Sequence, residues 1–309
     1  MSQTAFVFPG QGSQKVGMGQ DWAEGWSVAR EVFAEADEVL GYSLSQLCWQ
    51  GPEEDLRRTA NTQPALLTVS TAIHRVVAQE GRLSAVAMAG HSLGEYSALV
   101  AADVLSFGDA VRLVRRRGEL MQDAVPEGEG AMAAVLGLDA ADVEAVAAEA
   151  AGDQVCAVAN YNAPGQTVLA GASAAVERAV ELARERGARK AVALPVSAPF
   201  HCSLMAPARE AMAELLDNTE FRDPRVPVVV NVDAVPVTRG DAARDALIRQ
   251  IDNPVRWVES VSWMATEGGV EGFVEIGAGK VLAGLIRRIA RGTRQISLNT
   301  ADSYRGLEG

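Results

Sequence analysis

The spacing of apolar residues changes along the chain, and each change marks an element. Thr4–Phe8 is an unbroken apolar run closed by Pro9-Gly10, which predicts a buried first strand followed by a loop of small and amide residues. Asn61-Thr62 before Pro64 predicts a helix cap and first turn, because Leu66, Val69, Ile73, Val76 and Val77 then recur at helical spacing. Ser106 with Asp109 three residues on has the capping-box pattern and opens a second helix. Further on, the pattern predicts strands over 226–232, 272–276 and 295–298, with helices over 241–251 and 281–290 between them. Strands alternating with helices predict an α/β protein with a parallel sheet core.

The middle of the chain follows a different order. Strands are predicted over 131–138, 155–161, 167–170 and 190–196, with helices over 140–150 and 174–186 and a turn at Ala163-Pro164-Gly165-Gln166. This β-α-β-β-α-β order is ferredoxin-like. It predicts a small α+β domain over 128–196 inserted into a large α/β-hydrolase-like catalytic domain formed by 1–127 and 197–309. The cleft between them is the expected ligand site.

Bulk properties narrow the class. Of 309 residues 48% are hydrophobic and 22% charged, without a low-complexity run, which predicts a compact globule with disorder confined to the polar end 300–309. A balance of 28 basic to 40 acidic side chains, net −12, disfavours nucleic acid and anionic membrane as partners. Cys48, Cys156 and Cys202 are odd in number and scattered, which fits a reducing cytosol and no metal cluster. The start carries no basic residue before a short apolar stretch cut by Pro9-Gly10, unlike a signal peptide, and no uncharged apolar run reaches about 18 residues, the length that marks a membrane span. A cytoplasmic protein is expected.

The chemistry concentrates at Gly90-His91-Ser92-Leu93-Gly94. An apolar run precedes this G-x-S-x-G segment and an amphipathic run follows it, as in a nucleophile elbow, where a strained strand-to-helix turn presents the serine and both glycines keep side chains out of a crowded space. The backbone N–H after the serine then points to where an oxyanion forms. An ordinary β–α turn is the plainer alternative. Ser92 needs a base, and the chain has three histidines. His91 neighbours Ser92 on a turn that sends adjacent side chains apart, and His74 sits at the edge of an apolar helical stripe as a structural residue would. His201, where the small domain hands back to the large one, is the remaining candidate, against the alternative of a hydrogen-bonded loop histidine. No single acidic residue stands out as a third member.

Arg117 is the other informative position. Over 110–125 the apolar side is formed by Ala110, Leu113, Val114, Leu120, Met121 and Ala124, and Arg117 falls within it while Arg115 and Arg116 point elsewhere. A guanidinium buried alone costs roughly 3–5 kcal/mol, so it needs a partner. The partner is either an internal carboxylate or the carboxylate of a substrate, which its planar fork grips at two points.

These segments, together with Phe8-Pro9-Gly10-Gln11-Gly12-Ser13-Gln14, Asn61-Thr62-Gln63-Pro64-Ala65, Arg117-Gly118-Glu119-Leu120-Met121, Ala159-Asn160-Tyr161-Asn162 and Ser197-Ala198-Pro199-Phe200-His201, resemble those of malonyl-CoA:acyl carrier protein transacylases of the stand-alone bacterial fatty-acid type. The resemblance covers nearly the whole chain. It implies that Ser92 carries a malonyl ester, that His201 is the base, that Gln11 and the Leu93 N–H line the oxyanion hole, and that Arg117 binds the malonyl carboxylate. Gln63 and Asn162 are implied as supporting polar residues, Gln250 as the main-chain carbonyl that orients the histidine, and Phe200 as part of a malonyl-selecting loop. The implied reaction moves malonyl from malonyl-CoA to acyl carrier protein by a ping-pong route, with no metal or redox cofactor. An acidic carrier protein would dock on a local basic surface, for which Arg189-Lys190 or Arg287-Arg288 with Arg291 and Arg294 are candidates. Discrete polyketide acyltransferases and malonate-decarboxylase subunits share these segments. A serine hydrolase such as a thioesterase, or an idle carrier-binding subunit, are the more distant alternatives.

Overall fold

The computed structural model describes residues 3–196 and 198–307, and its ten strands form two sheets. Strands β1 (Thr4–Phe8), β2 (Ala87–Gly90), β7 (Val228–Val229), β8 (Pro236–Val237), β9 (Gly272–Ile276) and β10 (Arg294–Leu298) make a six-stranded sheet in the order β10-β9-β1-β2-β7-β8. Every pair in it is parallel except β7 with β8. Both faces of this sheet are covered, which is why β1 reads as a continuous apolar run rather than as an alternation. Phe6 and Phe8 enter a core with the helix Thr59–Glu80 on one side, while Ala5 and Val7 face Trp257, Val261 and Leu285 on the other.

The second sheet holds β3 (Gly130–Leu136), β4 (Cys156–Ala163), β5 (Gln166–Ala172) and β6 (Lys190–Ala193), antiparallel throughout and ordered β4-β5-β3-β6. Helices Ala140–Ala151 and Ser173–Glu185 cover one face and supply its separate core. The order of elements is the ferredoxin-like one expected. Edge strand β4 is pinned to the larger unit by two backbone bonds, Tyr161 N–H to Val255 O and Val255 N–H to Ala159 O, each 2.9 Å.

Three expectations change. The helix predicted to begin around Asn61 begins at Thr59 and runs to Glu80 with Pro64 inside it. Proline removes the donor that would meet the Ala60 carbonyl, and the Arg115 guanidinium takes that carbonyl at 3.1 Å instead. Asn61 and Thr62 do not cap: their side chains donate to Asp55 O and Leu56 O of the preceding turn. The strand predicted over 226–232 contracts to Val228–Val229, because Pro227 has no N–H and the chain turns back after Val229, with Val230 N–H donating to Val235 O. The polar end is ordered as the helix Ala301–Arg305, capped by Thr300, with Tyr304 buried against Trp22 and Ala301 N–H bound to Asp21. One buried tyrosine outweighs its polar neighbours. The expectation for Ser197 and for 308–309 lies outside the described residues. Among the described residues no helix is long and apolar enough to cross a membrane.

Candidate active site

β1 and β2 run parallel, so their carboxyl ends open at one edge of the sheet, where open α/β folds bind ligands. At that edge β2 reverses directly into the helix Leu93–Ala101, with Ser92 at φ 51° and ψ −107°. The reversal is tight enough to require both glycines. A Cβ on Gly90 would lie 1.9 Å from the Gly94 carbonyl, and one on Gly94 would lie 2.0 Å from Phe8 O. The turn is a nucleophile elbow rather than an ordinary loop.

The structure brings Ser92, His201 and Arg117 together. Ser92 Oγ lies 2.8 Å from His201 Nε2, and His201 Nδ1 lies 2.9 Å from the Gln250 carbonyl. That carbonyl can only accept, so Nδ1 carries the proton and Nε2 keeps a lone pair for the serine hydroxyl. Burial, then the nearby Arg117 charge, lower the His201 pKa to about 3, which keeps the ring neutral. A main-chain oxygen fills the place of the acid that sequence could not single out.

Arg117 is 1% exposed. Its Nη1 donates to Gln63 Oε1 at 2.8 Å, and its Nη2 to Gln250 Oε1 at 2.9 Å and to Ser92 Oγ at 3.1 Å. The guanidinium also faces the Tyr96 ring at 5.6 Å. Its Nε has no partner, and among the described residues it forms no ion pair. Neutral amides therefore hold a buried cation beside Ser92 Oγ, in place of an internal salt bridge among the described residues. Burial accordingly lowers the Arg117 pKa.

These groups line a cavity of about 500 Å³ between the two sheets. Gln11 and Gln63 line it, Gln11 Nε2 lying 3.3 Å from Thr59 Oγ1. Leu93 is the first residue of its helix, so its N–H has no acceptor within that helix. Phe200 lines the cavity beside His201. Asn162 does not line it. Its Oδ1 accepts from His91 Nε2 at 2.7 Å, which turns that ring away from Ser92, and Asn160 lines the cavity instead. His74 packs edge-on to Phe6 and Phe8, and burial lowers its pKa to about 4. Of the basic candidates, Arg288 is engaged by Gln166 and the Pro164 carbonyl, whereas Arg189, Lys190, Arg287, Arg291 and Arg294 are exposed.

Two site residues escaped the sequence reading. Asn231 and Glu95 are fully buried, Asn231 Oδ1 accepting from Ser92 N–H at 2.7 Å and Glu95 Oε2 from Asn231 N–H at 2.7 Å. The available signal was an amide closing an apolar run at the end of a parallel strand, and a carboxylate in the otherwise apolar start of the elbow helix.

An elbow serine hydrogen-bonded to a neutral histidine, at the carboxyl edge of a parallel sheet, defines a serine-dependent acyl-transfer enzyme of the α/β class. Residues 5–301 match the model of the acyl transferase domain. The malonyl CoA-acyl carrier protein transacylase of Escherichia coli (strain K12) is 54% identical over 299 residues, 97% of this chain and 96% of that protein. The crystal structure of an acyl carrier protein S-malonyltransferase from Vibrio cholerae O1 biovar eltor superposes with a TM-score of 0.97 at 50% identity, covering 99% of this chain and 100% of that one. A malonyl-transacylase solved in complex with its type II PKS acyl-carrier protein gives 0.95 at 49% identity, covering 98% and 97%. The chain belongs to the acyl transferase family, among its malonyl CoA-acyl carrier protein transacylases.

Proposed function

We propose that the protein moves a malonyl group from coenzyme A to the phosphopantetheine thiol of acyl carrier protein through a malonyl ester on Ser92. The observation that carries this reading is Arg117, a buried guanidinium that forms no ion pair among the described residues and whose Nη2 lies 3.1 Å from the nucleophilic oxygen. His201 Nε2 takes the Ser92 proton as Oγ attacks the thioester carbonyl. The oxyanion is met by the Leu93 N–H and Gln11, and collapse expels coenzyme A as its thiol with the proton returned by His201. The carrier thiol then attacks the ester by the same steps in reverse. Arg117 holds the malonyl carboxylate throughout, with Gln63 and Gln250 keeping its fork in place, while Phe200 borders the acyl group.

No metal or redox cofactor enters this scheme, and the coenzyme A thioester is a substrate. The setting is fatty acid synthesis in the cytoplasm, with 128–196 acting as a subdomain over the catalytic unit of 1–127 and 197–309. The second solved structure above favours one other setting, a type II polyketide pathway with the same chemistry.

Intact-protein mass spectrometry after brief mixing with malonyl-CoA or acetyl-CoA tests the reading. A malonyl adduct that is absent in Ser92→Ala and discharged by holo acyl carrier protein is expected. Free malonate without a transferable adduct would move the assignment to a hydrolase.

A further inference from the structure

Strand β7 ends at Val229, three residues short of the level of Ser92, yet the hydrogen-bond ladder along β2 does not end there. The β2–β7 register pairs Met88 with Val228 and Ala89 with Val229. Carried two residues further, it sets position 231 opposite His91. In a parallel ladder the residue opposite His91 donates its N–H to the carbonyl before it and accepts from the N–H after it. Asn231 makes both bonds with its side chain: Nδ2 donates to Gly90 O at 2.7 Å, and Oδ1 accepts from Ser92 N–H at 2.7 Å. Its own backbone is used elsewhere, the N–H donating to Glu95 Oε2 and the C=O accepting from Arg256 N–H at 3.1 Å. On the other edge of β2, His91 N–H donates to Phe8 O at 3.0 Å.

We infer that Asn231 is a positioning residue: its carboxamide stands in for a missing peptide of β7, holds the strained Ser92 turn in register, and is itself aimed by Glu95. The inference rests on the proposed role of Ser92 as nucleophile. It also assigns the oxyanion donor within the elbow. Ser92 N–H is committed to Asn231, so the donor on this turn is Leu93 N–H. The mimicry is specific to a carboxamide, because only a group with one donor and one acceptor in a plane satisfies Gly90 O and Ser92 N–H together. A carboxylate of the same shape loses the donor and faces a carbonyl oxygen.

The test compares Asn231→Asp, Asn231→Ala and Glu95→Gln with the unchanged protein. Each is checked for folding by circular dichroism and assayed for malonylation of Ser92 and for labelling of Ser92 by a fluorophosphonate, which requires neither coenzyme A nor Arg117. Asn231→Asp should slow acylation about a hundredfold, the cost of a misplacement of about 1 Å, with little change in KM for malonyl-CoA. Glu95→Gln keeps an acceptor for the Asn231 N–H and should slow it far less. The distinguishing signature is the pH profile of Asn231→Asp relative to the unchanged protein. A protonated carboxyl again offers one donor and one acceptor, so the ratio of rates should recover as pH falls. Glu95, Asp233, Arg117 and His201 surround this position and set where the recovery falls, not its direction. Wild-type rates in a folded Asn231→Asp or Asn231→Ala, or a rate ratio that stays flat with pH, would overturn the inference. If the unchanged protein takes the fluorophosphonate but no malonyl group, the functional reading fails alone, and the labelling rates still decide the role of Asn231.

Discussion

On the wall of the cleft built from the six-stranded sheet, Ser92, His201 and Arg117 are each tied at more than one point. Ser92 is held through its N–H, its C=O and its Oγ, and Arg117 through two nitrogens. On the wall built from the four-stranded sheet, Met132, Leu194 and Val196 offer apolar contact, with Asn160 as a polar exception. The first wall positions charge and lone pairs, where errors of a fraction of an ångström matter. The second excludes water and shapes the space, tasks that tolerate small displacements. Gln250 shows how closely the first wall is coupled. Its carbonyl faces His201, its Oε1 faces Arg117, and its Nε2 donates to Ser92 O, so one residue sets base, cation and nucleophile together.

The sharpest way to break this contrast is Gly94→Ala, which places a Cβ 2.0 Å from Phe8 O with backbone on both sides. Neither chain can yield, so a loss of about 3 kcal/mol or more, or failure to fold, is expected in a thermal melt. Next comes Arg117→Ala. It should reduce malonyl transfer about a thousandfold more than acetyl transfer, because only malonyl presents the charge that the guanidinium awaits. Equal losses on the two thioesters would remove the carboxylate role.

The pH dependence follows from a histidine held near 3. His201 is a competent base when neutral, so single-turnover acylation should keep its neutral-pH rate down to about pH 4 and fall as the pH approaches 3. A midpoint near the ordinary 6.5 would show that water reaches the ring in solution. The same shift bears on stability. In the window between the lowered values of His201 and His74 and the ordinary 6.5, the unfolded chain binds more protons than the folded one. Their contribution is therefore complete above that ordinary value and is lost as pH falls toward about 4 for His74 and about 3 for His201, which urea unfolding at stepped pH would register. The smallest effect is expected on the opposite wall. Leu194→Ala removes apolar contact worth about 1 kcal/mol and should change kcat/KM for malonyl-CoA about fivefold. A loss as large as that of Arg117→Ala would erase the distinction between the walls.

How far the sequence could be read follows the same division. Ser92 was legible because the elbow is a local pattern in which strand, glycines and helix adjoin. Arg117 was legible because a charge within an apolar helical stripe contradicts its surroundings. His201 followed from scarcity, with three histidines to choose among. Between Asn160 and Asn162 the resemblance implied Asn162, whereas Asn160 lines the cavity. They alternate as neighbours on one face of a regular strand would, but β4 has register shifts between Val158 and Asn160 and between Tyr161 and Ala163, and the two amides part. One lines the cavity and the other holds His91.

The sequence by itself determined the α/β class, the ferredoxin-like order of elements in the middle of the chain, and the residue types capable of the chemistry, because periodicity, turn chemistry and short motifs are written in adjacent residues. Only the tertiary structure decided which of these groups meet. Ser92 is separated from His201 by 109 positions, from Asn231 by 139 and from Gln250 by 158, and hydrogen bonds of 2.7–3.0 Å across such separations depend on how strands align in the sheet. The same holds for Arg117. A charge in an apolar stripe announced the need for a partner, but that amides hold it, with no carboxylate in ion-pair contact among the described residues, became visible only once its neighbours were in place.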